Sequence, residues 1–320
     1  MKLLLAGEDR EGALLRSLEV GLRHEWQVTV VDPAGSVTRI IDDPSLVAKV
    51  RRRRRADEAS ACLVEAVEQN DPNVVLVIKG RGIDAAAVEQ ARRTCPVAIY
   101  YPDNPLWKMT DAGDALARLE AADLAIIWSQ RLQTILSRSC RRVEMVPFGF
   151  DHRWFPVTDP AVPRSGIAFA GTWSLRRERL LGALVGLDLT IVGSGWERAP
   201  DLGGGAPRHG EGAGRLLRDA AIGVNMLHPH NAGAHNMRTR EIMASGCAQL
   251  TDPGTDGTPL RDGAGCRWFR SPAHLRELAE HYLAQREEAI ALAAAAQGRA
   301  DGDTYVQRAT EISAALKKLA

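Results

Sequence analysis

Residues Asn225 to Asp252 read NMLHPHNAGAHNMRTREIMASGCAQLTD. The segment begins in an apolar strand, continues through a polar loop over 228–236, and enters a helix that carries Arg238 and Glu241. Ser245-Gly246 ends that helix, and a second apolar strand follows. A strand that feeds a loop and a helix N-terminus directs backbone N–H groups and the helix dipole at an anion. The order therefore predicts an α/β fold with a nucleotide-diphosphate site in this segment.

Several side chains of the segment suit such a site. Arg238 falls in the first helical turn, beside Asn236 and Met237, and a guanidinium there can form two hydrogen bonds to a diphosphate. Glu241 lies three residues further along the same helix face, where a carboxylate can accept hydrogen bonds from ribose hydroxyls. We interpret His235, in the loop, as a polar contact to the donor or its leaving group.

The rest of the chain alternates short apolar strands with helical segments, which is typical of parallel sheets covered on both faces. The alternation stops near Asp151, a segment rich in proline and polar residues follows over 159–166, and the alternation then restarts. With 320 residues, the chain is expected to form more than one core. We predict two Rossmann-like domains facing across a cleft, over 1–155 and 156–302, with a terminal helix over 303–320.

Composition excludes several classes of protein. A net charge of +1 gives no global attraction to nucleic acid, and no apolar run is long enough to span a membrane. We interpret the basic run at 51–55 as a solvated helix. The five cysteines are widely spaced and odd in number. They indicate reduced thiols in a cytoplasmic protein, without a metal cluster.

Other strand ends of the second domain add candidates for the donor site. One predicted strand ends in Ala-Gly-Thr before a helix with two arginines, and another ends in Gly-Ser-Gly. Glycine permits close backbone approach, and arginine can contact a second phosphate oxygen. A capped turn with solvated arginines, or a plain turn, is the alternative interpretation. The candidates are Gly171, Thr172, Arg176, Arg177 and Gly193.

Strand ends of the first domain supply candidates for an acceptor. Glu8 and Asp9 follow the first strand, and a helix start with acidic residues is the alternative there. Tyr101, Asp103 and Asn104 follow a later strand, where an aromatic ring with polar groups suits a carbohydrate or another flat acceptor, and a simple turn is the alternative. We expect Glu8, Tyr101 and Asn104 to contact the acceptor, and Asp9 or Asp103 to act as a base if one is needed.

Five motifs occur in the order Val146–Asp151, Phe169–Thr172, Asn236–Glu241, Ala244–Gly246 and Leu250–Asp252. Motifs in this order resemble those of GT-B glycosyltransferases, specifically the CgeB-like branch related to group 1 transferases. The family often has an aromatic residue where this chain has Arg240. The resemblance implies a second domain that binds a nucleotide sugar without a metal or other cofactor. It also implies that Glu241 holds the ribose, that Arg238 and loop amides hold the diphosphate, and that the terminal helix crosses back to the first domain.

The expected reaction is transfer of a sugar from a nucleotide-diphosphate sugar to an acceptor hydroxyl or amine. The resemblance favours retention of the anomeric configuration, in which the leaving phosphate takes the acceptor proton. The acceptor is a small molecule, a polysaccharide or a protein. A nucleotide-sugar epimerase of GT-B shape and a non-catalytic nucleotide-sugar-binding protein are the alternatives. A nicotinamide oxidoreductase is disfavoured because no glycine fingerprint is complete.

Overall fold

The computed structural model describes residues 1–33, 46–107, 112–231, 234–253, 260–299 and 302–320. Within these ranges, the side chains of residues 46–55, 112–113 and 229 are not described. The backbone of the basic run at 51–55 is helical, and the solvation of its side chains lies outside what is described. The sequence also predicts a helix from Ser45 to Gln69, and its first residue lies outside the described ranges. The chain divides into two compact units, one of residues 1–147 with 305–320 and the other of residues 148–304.

The first unit is a six-stranded sheet in which every pair of neighbouring strands is parallel. The strand order is β2-β1-β3-β4-β5-β6. Its elements, in chain order, are β1 (Lys2–Ala6), α1 (Leu14–Leu22), β2 (Gln27–Val31), α2 (Leu46–Asn70), β3 (Val74–Ile78), α3 (Ala85–Arg92), β4 (Val97–Tyr100), α4 (Ala112–Ala121), β5 (Leu124–Ile127), α5 (Gln130–Leu136) and β6 (Val143–Met145).

The last helix of the chain belongs to this first unit. It spans Tyr305–Lys317 and packs against α1, where Ala309 would contact any Cβ placed on Gly21. Trp26 donates a hydrogen bond from its indole to Ser313 at 2.7 Å. Apolar burial and this bond together hold the end of the chain on the first sheet.

The second unit repeats the architecture, with strand order β11-β12-β10-β9-β7-β8 and parallel pairing. Its elements are β7 (Ser165–Ala170), α6 (Leu175–Gly182), β8 (Leu189–Val192), α7 (Gly210–Asp219), β9 (Ala220–Asn225), α8 (Met237–Ser245), β10 (Ala248–Thr251), β11 (Arg261–Asp262), β12 (Gly265–Trp268), α9 (Pro272–Ala284) and α10 (Arg286–Gln297). The terminal helix at Tyr305–Lys317 is α11. Each unit is thus a Rossmann-like α/β domain, as the sequence predicted.

Most predicted elements are present with bounds shifted by a few residues. The strand at Ala248–Thr251 and the helix at Met237–Ser245 have the predicted bounds. The two-residue strand β11 was not predicted. Helix α1 begins at Leu14, with Ala13 as its N-cap and no acidic residue in its first turn. The alternative interpretation of Glu8 and Asp9 as helix-start residues is therefore wrong. No helix in the described part of the chain is long and apolar enough to cross a membrane.

Candidate functional site

Helix α8 forms the centre of the candidate site because its N-terminus follows the carboxyl end of β9. Asn236 is the N-cap, in extended conformation, and its side-chain oxygen accepts a hydrogen bond from Thr239 N. Gly246 ends the helix in the left-handed conformation, with φ of +73°. A Cβ at Gly246 would lie 2.3 Å from the carbonyl oxygen of Thr158. Both ends of α8 are therefore defined by local chemistry.

Two amide groups at the start of α8 are available to an anion. The N–H groups of Met237 and Arg238 have no hydrogen-bond partner among the residues that the structure describes. The helix dipole adds partial positive charge at the same end. These groups give the N-terminus the donors that a diphosphate oxygen requires.

Arg238 and Glu241 face each other on one turn of α8. Arg238 Nη1 lies 2.7 Å from Glu241 Oε2. The two atoms are buried, yet they are not aligned for a hydrogen bond, so their contact is a charge contact that leaves hydrogen-bonding capacity unused. Burial raises the pKa of Glu241, Arg238 opposes that rise, and Asp151 adds to it. Neither Arg238 nor Glu241 has another side-chain partner in the described ranges.

A buried polar network fixes the loop before α8. The N-cap bond requires the amide oxygen of Asn236 to face the helix, so the Asn225 group beside that oxygen, at 3.0 Å, is its NH2. The same NH2 donates to Thr239 Oγ1 at 2.9 Å. The Thr239 hydroxyl lies 2.9 Å from His235 Nδ1 and 3.5 Å from Asn236 Oδ1. Its proton therefore has two acceptors within reach, and the network is compatible with either neutral tautomer of His235.

His235 itself is neutral over the physiological range. Burial and then Arg240 lower its pKa to about 4. Its Nε2 is buried and has no hydrogen-bond partner among the described residues. A buried polar nitrogen without a hydrogen-bond partner is unfavourable by roughly 1–3 kcal/mol, which is consistent with a group that awaits a ligand. Its predicted contact to the donor or leaving group stays a prediction.

Arg176 and Arg177, the other arginines predicted to contact phosphate, are both held by protein acceptors. Arg176 forms a two-pronged ion pair with Asp252, with Nη1 3.0 Å from Oδ2, and that oxygen also accepts from Leu227 N. Arg177 donates to the carbonyl oxygens of Thr172 and Met226. Burial, followed by the charge of Arg176, lowers the pKa of Arg177. In this structure the hydrogen bonds of both arginines hold together the loops at the carboxyl edge of the sheet.

The two predicted glycines bring neighbouring loops together at the same edge. Gly171 N donates to Val192 O, and a Cβ on Gly193 would lie 2.0 Å from Gly171 O. Gly193 also has φ of +153°, which L side chains rarely adopt. Glycine is thus required here for backbone packing. Thr172 is exposed beside these loops.

Arg240, on the helix that carries Arg238 and Glu241, has a long-range partner. The side chain is buried and pairs with Asp303, which is buried as well. Asp303 O in turn accepts a hydrogen bond from Phe150 N. The buried cation is therefore matched by a carboxylate from the segment before α11.

In the first unit, Glu8 and Asp9 lie just after β1 and both pair with arginines. Arg10 Nε is 2.7 Å from Glu8 Oε1, in an exposed pair. Arg16 donates to both carboxylate oxygens of Asp9, and Asp9 N donates to Asp32. Arg16 thus holds the Asp9 carboxylate in one orientation. The role of Asp9 as a base stays a prediction.

The other acceptor candidates follow β4, and they include a partner that the sequence reading missed. Asp103 pairs with Lys79, which follows β3, the strand between β1 and β4. Lys79 has φ of +67°, an uncommon conformation for a non-glycine residue. Asn104 Oδ1 accepts from Leu106 N at 2.9 Å, as in an Asx turn. Tyr101 is buried, with 1% of its surface exposed. A lysine followed by glycine at the end of a buried strand was the sequence feature that could have identified Lys79 as a residue of this site.

In the described ranges, no three histidine, cysteine, aspartate or glutamate residues are grouped so that they could hold a metal ion. His228 and His230 stack with ring centres 4.6 Å apart. Burial lowers the pKa of His228, and Arg177 and Arg176 lower it further.

Comparisons with known proteins agree with this architecture. Residues 176–314 match the family described as glycosyl transferase-like. No curated protein sequence matches the chain significantly. HepE from Anabaena, solved in complex with UDP-glucose, is 13% identical with a TM-score of 0.72, over 100% of both chains. Sucrose-phosphate synthase from Thermosynechococcus elongatus is 13% identical with a TM-score of 0.74, over 100% of this chain and 99% of that chain.

A third solved structure extends the likeness. Trehalose-phosphate synthase from Burkholderia xenovorans, in complex with glucose-6-phosphate, is 10% identical with a TM-score of 0.65, over 99% of this chain and 100% of that one. At such low identity these likenesses establish the fold, a pair of Rossmann-like domains.

Proposed function

We propose that the chain, whose residues 176–314 match a glycosyl transferase-like family and whose fold is that of GT-B glycosyltransferases, transfers a sugar from a nucleotide-diphosphate sugar to an acceptor hydroxyl or amine. The observation that carries the proposal is the start of α8, where two amides without partners among the described residues, the helix dipole and Arg238 converge with a buried carboxylate. This set of groups matches the needs of a diphosphate followed by a ribose.

The donor is bound by the second unit. The diphosphate accepts hydrogen bonds from the α8 amides and Arg238, and the ribose hydroxyls donate to Glu241. Glu241 thereby exchanges its charge contact with Arg238 for hydrogen bonds to the ligand. UDP is the first nucleotide to examine, since HepE was solved with UDP-glucose and with UDP, and a pneumococcal O-GlcNAc transferase was solved with UDP and GlcNAc.

The proposed reaction needs neither a metal nor another cofactor. Its main electrostatic demand is the charge that develops on the departing diphosphate, and preorganised donors stabilise such charge strongly. We propose retention of configuration, with the leaving phosphate accepting the proton of the acceptor. The neutral His235 can donate from Nε2 without adding a titrating charge at physiological pH.

The acceptor is assigned to the first unit, near Glu8, Tyr101 and Asn104. If the outcome is inversion instead, a protein base is required, and Asp9 and Asp103 remain the candidates. The five cysteines are unpaired, in agreement with the proposed cytoplasmic location.

Incubation with UDP-glucose tests the proposal. The protein is supplied with the donor alone and with a mixture of sugar and sugar-phosphate acceptors, and proton NMR follows the donor and the anomeric signals of new products. Acceptor-dependent release of UDP with a new glycosidic signal is expected, and its coupling constant reports the stereochemistry. Donor conversion to another sugar nucleotide without acceptor would indicate an epimerase. Binding without any conversion, over a panel of donors, would indicate a non-catalytic protein.

A further inference from the structure

A second pocket opens at the opposite edge of the second sheet. It has a volume of about 200 Å³ and lies where β7, β9 and β10 begin, at Ser165, Ala221 and Ala248. The donor groups lie where the same strands end. With a rise of about 3.3 Å per residue, strands of four to six residues separate the two places by roughly 13–20 Å. The pocket is therefore distinct from the candidate donor site.

Its lining combines apolar walls with two arginines. Val162, Leu283, Ala289 and Ile290 contribute apolar surface, and no acidic residue lines the pocket among the residues described. Arg164 and Arg286 provide positive charge. A cavity of this size is below the usual range of ligand pockets, roughly 300–1,000 Å³, which suits a compound much smaller than a nucleotide sugar.

Neither arginine has a carboxylate partner in the described part of the chain. Arg164 donates to the carbonyl oxygens of Ser245 and Asp159, and its Nε is buried without a hydrogen-bond partner. Arg286 donates to Ala161 O at 3.1 Å. Burial lowers the pKa of Arg164, as expected for a cation whose charge is incompletely compensated. Two cations held by neutral carbonyls leave the pocket with an excess of positive charge.

We infer that this pocket binds a small organic anion, a carboxylate or phosphate group attached to a short apolar body. The anionic group would lie between Arg164 and Arg286, and the apolar body would contact Val162, Leu283 and Ile290. Hydrogen bonds from guanidinium to an oxyanion are among the stronger ones in proteins. The apolar walls would exclude water from the pair and favour an amphipathic ligand over inorganic phosphate.

Three compounds that share a six-carbon chain and carry a negative, a neutral or a positive head group test the inference. Hexanoate, hexan-1-ol and hexylammonium are titrated into the full chain, and saturation-transfer NMR measures binding with and without UDP. Hexanoate is expected to bind at least several-fold more tightly than the other two, and UDP is not expected to displace it. Equal binding of the three compounds, no binding of hexanoate, or its displacement by UDP would each overturn the inference.

Variants locate the binding within the pocket. Arg286→Gln removes one cation from an exposed position and is expected to weaken hexanoate about tenfold. Ile290→Asp places a carboxylate in the wall and is expected to abolish binding. Arg215→Gln, on the exposed face of α7 outside the pocket, is the matched control and is expected to bind like the wild type. Unchanged affinity in a folded Arg286→Gln protein would contradict the site.

Discussion

Arg238 Nη1 and Glu241 Oε2 lie 2.7 Å apart on one turn of α8, buried and yet unaligned for a hydrogen bond. The pair brings a cation and a carboxylate together at a helix N-terminus whose first amides have no partners in the described ranges. Both side chains thus keep hydrogen-bonding capacity that a donor nucleotide would use, and the proposed function depends on this relationship.

Replacement of Arg238 is expected to weaken nucleoside diphosphates more than nucleosides. Loss of a charged hydrogen-bond donor corresponds to about 1.5–3 kcal/mol, so Arg238→Gln should weaken UDP roughly tenfold to a hundredfold while changing uridine little. Calorimetric titration of both ligands measures the difference. Arg179→Gln, exposed on α6, is the control. Equal losses for UDP and uridine would show that Arg238 does not contact the diphosphate.

The glycine at 193 is expected to be essential for stability. In Gly193→Ala, the new Cβ would clash with Gly171 O at 2.0 Å, at a φ of +153°, and we expect destabilisation of at least about 2 kcal/mol. Urea denaturation measures it. At Gly182 a Cβ would meet nothing within 4 Å, so Gly182→Ala should be neutral or stabilising. A Gly193→Ala protein as stable as the wild type would refute the packing argument.

Removal of one charge from the buried pair of Arg240 and Asp303 is expected to destabilise the folded protein strongly. Asp303→Asn leaves a buried guanidinium without its counter-charge, and such changes typically destabilise by about 3–5 kcal/mol. Removal of both charges, in Arg240→Met with Asp303→Leu, should recover much of that loss because no uncompensated charge remains. Chemical denaturation measures the unfolding free energies of the single and the double variant. A double variant less stable than Asp303→Asn would contradict this explanation.

The stability of the protein is expected to depend on pH through His235. Its folded pKa of about 4 lies below the ordinary histidine pKa of 6.5, so the unfolded state binds more protons between these values. Stability from this group is therefore complete above pH 6.5 and falls as the pH decreases towards 4, by up to about 1.4 kcal/mol per pH unit.

The His235→Gln variant isolates this contribution. Carboxylates also titrate in the same window, so the quantity to compare is the difference in unfolding free energy between wild type and variant from pH 7 to pH 4.5. The advantage of the wild type should shrink with decreasing pH. A constant difference would mean that His235 titrates normally in the folded protein.

The sequence was sufficient for local features whose causes are local. Helix α8 has its predicted bounds because an asparagine N-cap and a glycine C-cap sit at its two ends. The doubled α/β architecture followed from strands that are apolar throughout, such as β3 with Val74 to Ile78.

Long-range pairings could not be read from the sequence. Arg240 meets Asp303, 63 residues away, and Arg176 meets Asp252, 76 residues away. Such contacts depend on how strands and helices assemble, and periodicity carries no information about them. For the same reason the partner of Asp103 was missed, although Lys79 is the last residue of a predicted strand. Arg176 and Arg177 were predicted as phosphate ligands from their position alone, and the structure adds that protein acceptors already hold both.

The most direct test of the proposed donor site is thermal unfolding with UDP, GDP, ADP, TDP and NAD, for wild type and Glu241→Ala. A ligand at a hundredfold excess over its dissociation constant stabilises the folded state by about 2.7 kcal/mol, a shift of several degrees for domains of this size. We predict a shift with one nucleoside diphosphate that Glu241→Ala loses and that Glu277→Ala, an exposed control on α9, retains. No shift with any diphosphate, or a shift with NAD alone, would contradict the nucleotide-sugar site.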